Sequence, residues 1–313
     1  MGSTKNKVLA FLLAALMIFA LAGCGGDGED GKEEVKKTVA DDTSILSMSF
    51  SAPDGFETVQ REVEKTAKGK LINKGIAYTL PDDCSLTFVF TDADGKKLED
   101  QLGKMKVERK EYNGTEWILY RSSKKTYMAF YQDGENVYGI QYRNSNEETI
   151  EDEFDKVLQT VKMTGATETT LNDFSLDKVK YNLETDVPLF SETTTVEEKP
   201  DGTLVSKKFV WKYSEDSEKI SYRFGIEEHK NTTVKDVVGE KKELEEGQIG
   251  DITYSFEKSD KKTDVYDHYN YYIQQGEDVY AVQNKGVSGG LITTRSDESK
   301  KAFKKFIKAV KFE

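Results

Sequence analysis

The chain repeats itself, and this constrains its folding more than any other feature. The stretch Tyr127-Met-Ala-Phe-Tyr-Gln-Asp-Gly-Glu-Asn-Val-Tyr-Gly-Ile-Gln141 aligns without a gap on Tyr269-Asn-Tyr-Tyr-Ile-Gln-Gln-Gly-Glu-Asp-Val-Tyr-Ala-Val-Gln283. The match runs outward from there. Gly69 answers Gly202, Tyr78 answers Trp211, Gly114 answers Gly250, and Phe154, Val157, Leu158 and Val161 answer Phe303, Phe306, Ile307 and Val310. The offset drifts from 133 to 149 residues, which places insertions in loops. Solenoid repeats are roughly 20–50 residues long. A period above 120 therefore predicts a tandem pair of homologous domains, 44–165 and 171–313, joined by a linker at 166–170.

Each unit has the same internal order. Ile45–Phe50, Leu71–Leu80 and Leu86–Phe90 alternate in the way strands do. Lys96–Lys110 reads as a helix, with Leu98, Leu102 and Met105 on one face, and Val234–Glu246 is its counterpart. Strands follow at Trp117–Arg121, Tyr127–Gln132 and Asn136–Tyr142, the last two joined by the hairpin signal Asp133-Gly134-Glu135. Phe154, Val157, Leu158 and Val161 then recur at the spacing of an amphipathic helix. The expectation is an α+β fold in which each domain is an antiparallel sheet covered by helices.

The N-terminus addresses the chain out of the cytoplasm. Lys5 and Lys7 precede an uncharged apolar run, Val8–Ala22, that is too short to span a hydrocarbon core of about 30 Å. It ends in Leu21-Ala22-Gly23-Cys24, which resembles the bacterial lipobox. The resemblance implies a signal peptide over 1–23, cleavage between Gly23 and Cys24, and acylation of Cys24. More than one acyl chain holds a protein stably at a membrane surface. Residues 24–43 then form the lipidated cysteine and an acidic, glycine-rich tether. The expected location is the extracytoplasmic side of the cell membrane.

The mature chain keeps 57 acids against 43 bases once Lys5 and Lys7 are removed, which excludes a nucleic-acid partner. Cys84 is then the one cysteine besides Cys24, so no internal disulfide is expected, and the thiol reads as a half-buried strand residue. His229 and His268 lack metal-ligand spacing. Asp92-Ala-Asp94-Gly95 does not continue as a calcium loop, because Phe90 and Gln101 stand where acids are required. No nucleophile or phosphate-cradling motif is present, so neither catalytic residues nor a cofactor are assigned. The aromatic density on the paired hairpins marks Tyr127, Tyr131, Tyr138, Tyr269, Tyr271 and Tyr280. Two readings are open for these tyrosines: an exposed platform for a glycan or an envelope protein, or core beneath helices on both faces.

The order of elements, the opening Phe50-Ser-Ala-Pro-Asp-Gly-Phe56 and the apolar tails after the last helices (Val161-Lys-Met163, Val310-Lys-Phe312) resemble the PsbP-like αβα sandwich superfamily. The second unit departs at its opening, Thr185-Asp-Val-Pro-Leu-Phe190. The resemblance implies a fold that binds or assembles and seldom catalyses, and it assigns no site residues. The functional expectation is a membrane-anchored, non-enzymatic binding or assembly module of the cell envelope. The alternatives are a structural or stress-related lipoprotein without a ligand, and a carboxylate-based hydrolase.

Overall fold

The structure is a computed structural model. It describes residues 43–312 except 104, 146–149, 165–175, 177, 184, 216–220, 241, 260–263, 289–292 and 295–296. The expected signal peptide at 1–23, Cys24 and all but the last residue of the expected tether at 24–43, and the expected linker at 166–170 lie outside the described residues. The chain divides into two compact units, with 64–70 grouped in unit 2 and 197–203 in unit 1.

Unit 1 is built on β1 (Thr58–Thr66, whose last three residues group with unit 2), β2 (Leu71–Leu80), β3 (Cys84–Asp92), β4 (Val107–Tyr112), β5 (Thr115–Ser123), β6 (Thr126–Asp133) and β7 (Asn136–Arg143). They lie in the order β1-β2-β3-β7-β6-β5-β4. Unit 2 uses β8 (Leu189–Glu198), β9 (Leu204–Tyr213), β10 (Tyr222–His229), β11 (Leu244–Ile249), β12 (Ile252–Glu257), β13 (Asn270–Gln275) and β14 (Asp278–Asn284). Their order, β8-β9-β10-β14-β13-β12-β11, is the same topology. Each unit also pairs a short opening strand with its apolar tail, Met48–Ser49 with Lys162–Met163 and Val179–Lys180 with Lys311–Phe312.

The expected α+β sandwich, a sheet covered by helices, is overturned. Just over half of the chain is strand, and the described residues hold four helices: α1 (Leu98–Leu102), α2 (Ile150–Thr160), α3 (Val234–Val238) and α4 (Asp297–Ala309). The helices expected at 96–110 and 234–246 end after five residues each, at Gly103 and Gly239, both in positive φ. The next residues pair as strands. Asn113 and Gly114 both have positive φ, the conformation of a type I′ hairpin turn, and Tyr112 pairs with Thr115 across it. Such a turn needs a strand on either side, so the residues before it become β4. Ile45–Phe50 is likewise not one strand but two short ones, folded back at Leu46, whose φ is 49°.

Two cores form in each unit. In unit 1, α2 places Ile150, Phe154 and Leu158 on Phe88, Tyr138 and Ile140. Burial of each such side chain contributes about 1.5–3 kcal/mol. The opposite face packs Val89, Met128 and Phe130 beneath Leu98 and Leu102 of α1. Unit 2 repeats this, with α4 on Trp211, Phe224 and Tyr271, and a smaller cluster of Tyr272, Val279 and Ala281 beside α3.

One identical residue in the repeat positions the short helices. Gln132 Oε1 accepts from Leu98 N at 2.6 Å, and its Nε2 donates to Lys96 O (3.1 Å) and Gly134 O (2.9 Å). Gln274 does the same with Val234 N (3.2 Å), Thr232 O (3.0 Å) and Gly276 O (3.0 Å). The amide satisfies a first-turn N–H of a helix and ties that helix to a hairpin turn. Gln132→Ala is expected to lower the stability of unit 1 by about 1–2 kcal/mol in a urea melt. Gln132→Glu keeps the acceptor but loses both donations, and is expected to recover only part of that.

Candidate functional site

The six sequence-marked tyrosines do not gather into one surface. Tyr138, Tyr271 and Tyr280 are fully buried. Tyr138 bonds Ser47 at 2.5 Å, Tyr271 packs on Phe303, and Tyr280 packs on Phe312. Tyr131 is half-buried between Trp117 and Tyr138, whereas Tyr269 is 45% exposed. Tyr127 lines a groove of about 340 Å³ in unit 1 with Leu119, Tyr120, Arg121 and Phe154. Arg121 lies 5.1 Å from its ring centroid, and its hydroxyl donates to Glu151 at 3.4 Å.

Cys84 opens β3, half-buried, with its thiol 3.5 Å from Asp82 O. His268 stacks on Phe256 at 4.0 Å. Asp92, Asp94 and Gly95 form a strand-to-helix turn in which Asp94 N donates to Asp92 Oδ1. No group of potential metal ligands occurs among the described residues.

Sequence reasoning missed a different cluster. Register and alternation put Lys208, Val210 and Lys212 of β9 on one face of unit 2 with Arg223, Gly225, Glu227 and His229 of β10. Ala281 and Gln283 of β14 join them, with Lys285 just beyond. The other face of these strands carries Phe209, Trp211, Phe224, Ile226 and Val282, all core. On the charged face, Lys208 pairs with Glu227 at 3.0 Å and Gln283 Nε2 donates to Glu227 at 3.1 Å. His229 Nε2 lies 3.7 Å from the same carboxylate. Lys212 pairs with Glu64 at 2.8 Å, and Ser191 also donates to Glu64.

Burial and charge compete here. Burial pushes the Glu227 carboxyl up, but Lys208, His229 and Lys285 together outweigh it, so the group sits below the ordinary glutamate value. Burial lowers His229, which Glu227 partly offsets. Lys285 is brought down to about 8, first by burial and then by Lys208. Burial also lowers Arg223, which Glu64 partly offsets.

The duplicated unit supplies the comparison. Through the β3–β7 and β10–β14 registers, Glu227 falls on Val89, Arg223 on Ser85, His229 on Thr91 and Lys285 on Arg143. Through β2–β3 and β9–β10, Lys208 falls on Gly75 and Lys212 on Thr79. One copy keeps this face small and nearly neutral, and the other fills it with charge. The signal was in the sequence, but the offset rises from 133 between β2 and β9 to 138 between β3 and β10, so a gapless alignment loses the match.

Among the described residues, no helix is long and apolar enough to cross a membrane. The chain matches no protein family and no curated protein sequence. Similarity searches against solved structures return the MucA/MucB complex of Pseudomonas aeruginosa at 6% identity and a TM-score of 0.19, covering 82% of this chain and 93% of the other. MucB in complex with MucA(peri) gives 7% identity and a TM-score of 0.16 over the same shares. Scores this low do not indicate a shared fold.

Proposed function

We propose that this chain is a lipid-anchored, extracytoplasmic, non-enzymatic binding module of the cell envelope, engaging an envelope protein or glycan. The observation that carries the reading is Leu21-Ala22-Gly23-Cys24 at the end of an uncharged apolar run. Acylation there sets the two units in water beside the membrane, on a tether without apolar bulk. A binding role is supported by two features, the groove of unit 1, where Tyr120, Tyr127 and Phe154 lie among charged side chains, and the charged face of unit 2. Cell fractionation of Cys24→Ser tests the reading. The variant is expected to leave the membrane fraction or accumulate as uncleaved precursor. If it is still processed and still membrane-bound, the anchoring reading is wrong.

A further inference from the structure

We infer that the charged face of unit 2 is an oxyanion-binding site, recognising a phosphate group through Arg223 and Lys285. The inference narrows the binding reading above to a ligand class.

The argument begins with a local charge count. The face carries Lys208, Lys212, Arg223 and Lys285 against Glu64 and Glu227. Lys212 is matched by Glu64 and Lys208 by Glu227. Arg223 and Lys285 remain in surplus, with no carboxylate ion pair among the described residues. This occurs in a chain whose overall charge is −12. The local excess runs against the composition and belongs to one copy of the repeat only.

The second observation concerns donors. Arg223 Nε is buried and has no hydrogen-bond partner among the described residues. It belongs to a guanidinium, the group whose N–H donors grip phosphate and carboxylate oxygens. Burying a charged donor without a partner is costly, and a bound oxyanion removes that cost.

The third is shape. Gly225 sits between Arg223 and Glu227 on β10, opposite Val210 on β9 and Gln283 on β14. A Cβ there would lie 3.1 Å from Phe209 O and 3.5 Å from Gln283 Oε1. The missing side chain lets the Gln283 amide fold over the strand, where it holds Glu227 to one side of the cations. The lowered Lys285 fits this picture, since an anion beside it would return the amine to full charge.

The test is NMR titration of the full chain, solubilised, with inorganic phosphate, dimethyl phosphate or acetate at constant ionic strength. The readouts are the Arg223 Nε–H and Lys285 Nζ resonances. Saturable shifts with a dissociation constant of about 1 mM or tighter are expected for at least one phosphate species, and weaker ones for acetate. Preference for the free ion or for the diester then separates a soluble anion from a phosphate carried on a larger molecule, and either one supports the site. Arg223→Gln and Lys285→Gln are each expected to weaken binding about tenfold or more. Arg143→Gln, at the position of unit 1 that matches Lys285, is expected to leave it unchanged. Lys285→Gln carries the test should Arg223→Gln fail to fold. No saturation below about 30 mM for any anion, full affinity in both unit 2 variants, or equal loss in Arg143→Gln would overturn the inference. Membrane fractionation of Cys24→Ser reads the anchor alone, so the two failures are distinguishable.

Discussion

Phe303→Ala is expected to lower the stability of unit 2 by about 3–5 kcal/mol, the range for removing a fully buried phenyl ring from a packed core. Phe303 has no exposed surface, and its ring packs on Phe224 at 5.5 Å, Tyr271 at 5.6 Å and Phe306 at 6.1 Å. Those rings sit in sheet and helix backbone that cannot collapse into the gap. Urea melts followed by fluorescence of Trp211, 5.9 Å from Phe306, would read the loss. Phe154→Ala is the parallel experiment in unit 1, where Trp117 is the reporter. A loss below 1 kcal/mol in either case would mean that the long helix is not what seals the aromatic core.

Lys230→Met is expected to cost about 3–5 kcal/mol, because it strands a buried carboxylate. Glu228 lies on the aromatic face of β10 with no exposed surface, at the position of Phe90 in unit 1. Lys230 Nζ donates to it at 2.5 Å and to Asp278 at 3.1 Å, and Tyr280 donates to it at 2.8 Å. Glu228 and Asp278 together hold the Lys230 amine above its ordinary value against the opposing pull of burial. Removing the amine leaves the buried Glu228 without its cation, while Asp278 keeps Lys178 at 3.8 Å. Adding Glu228→Gln is expected to return about 1–3 kcal/mol, since the uncompensated charge is then gone. If the double variant is no more stable than Lys230→Met, the ion pair is not the source of the loss.

The duplication, the Gly134 and Gly276 hairpins and the two long amphipathic helices were legible because each rests on local spacing. The second arm of the Asn113-Gly114 hairpin was not. Val107–Glu111 is exposed on both faces and has no apolar alternation to read. Leu98, Leu102 and Met105 meanwhile continue a helical phase past Gly103. The lesson lies in Asn113 and Gly114, because two adjacent residues suited to positive φ call for a strand before as well as after. The tyrosines were ambiguous for another reason. Alternation sorts Tyr138 and Tyr280 onto a face, but only tertiary packing decides that the face is closed. The charged face was hidden because its residues are scattered over β9, β10 and the end of β14, and nothing in one dimension brings Lys208, Arg223 and Lys285 together.

The strand order also sets a sequence of events in time. In unit 1 the last four strands run as a meander on tight turns, and hairpins of this kind close in about 1–10 μs, whereas in unit 2 residues 258–269 separate β12 from β13. Pairing β10 with β14 must instead bring His229 to Val279 across the whole intervening meander, a slower closure. Lys208 and Arg223 lie on one side of that seam and Gln283 and Lys285 on the other. The charged face of unit 2 is therefore complete only once β10 has paired with β14.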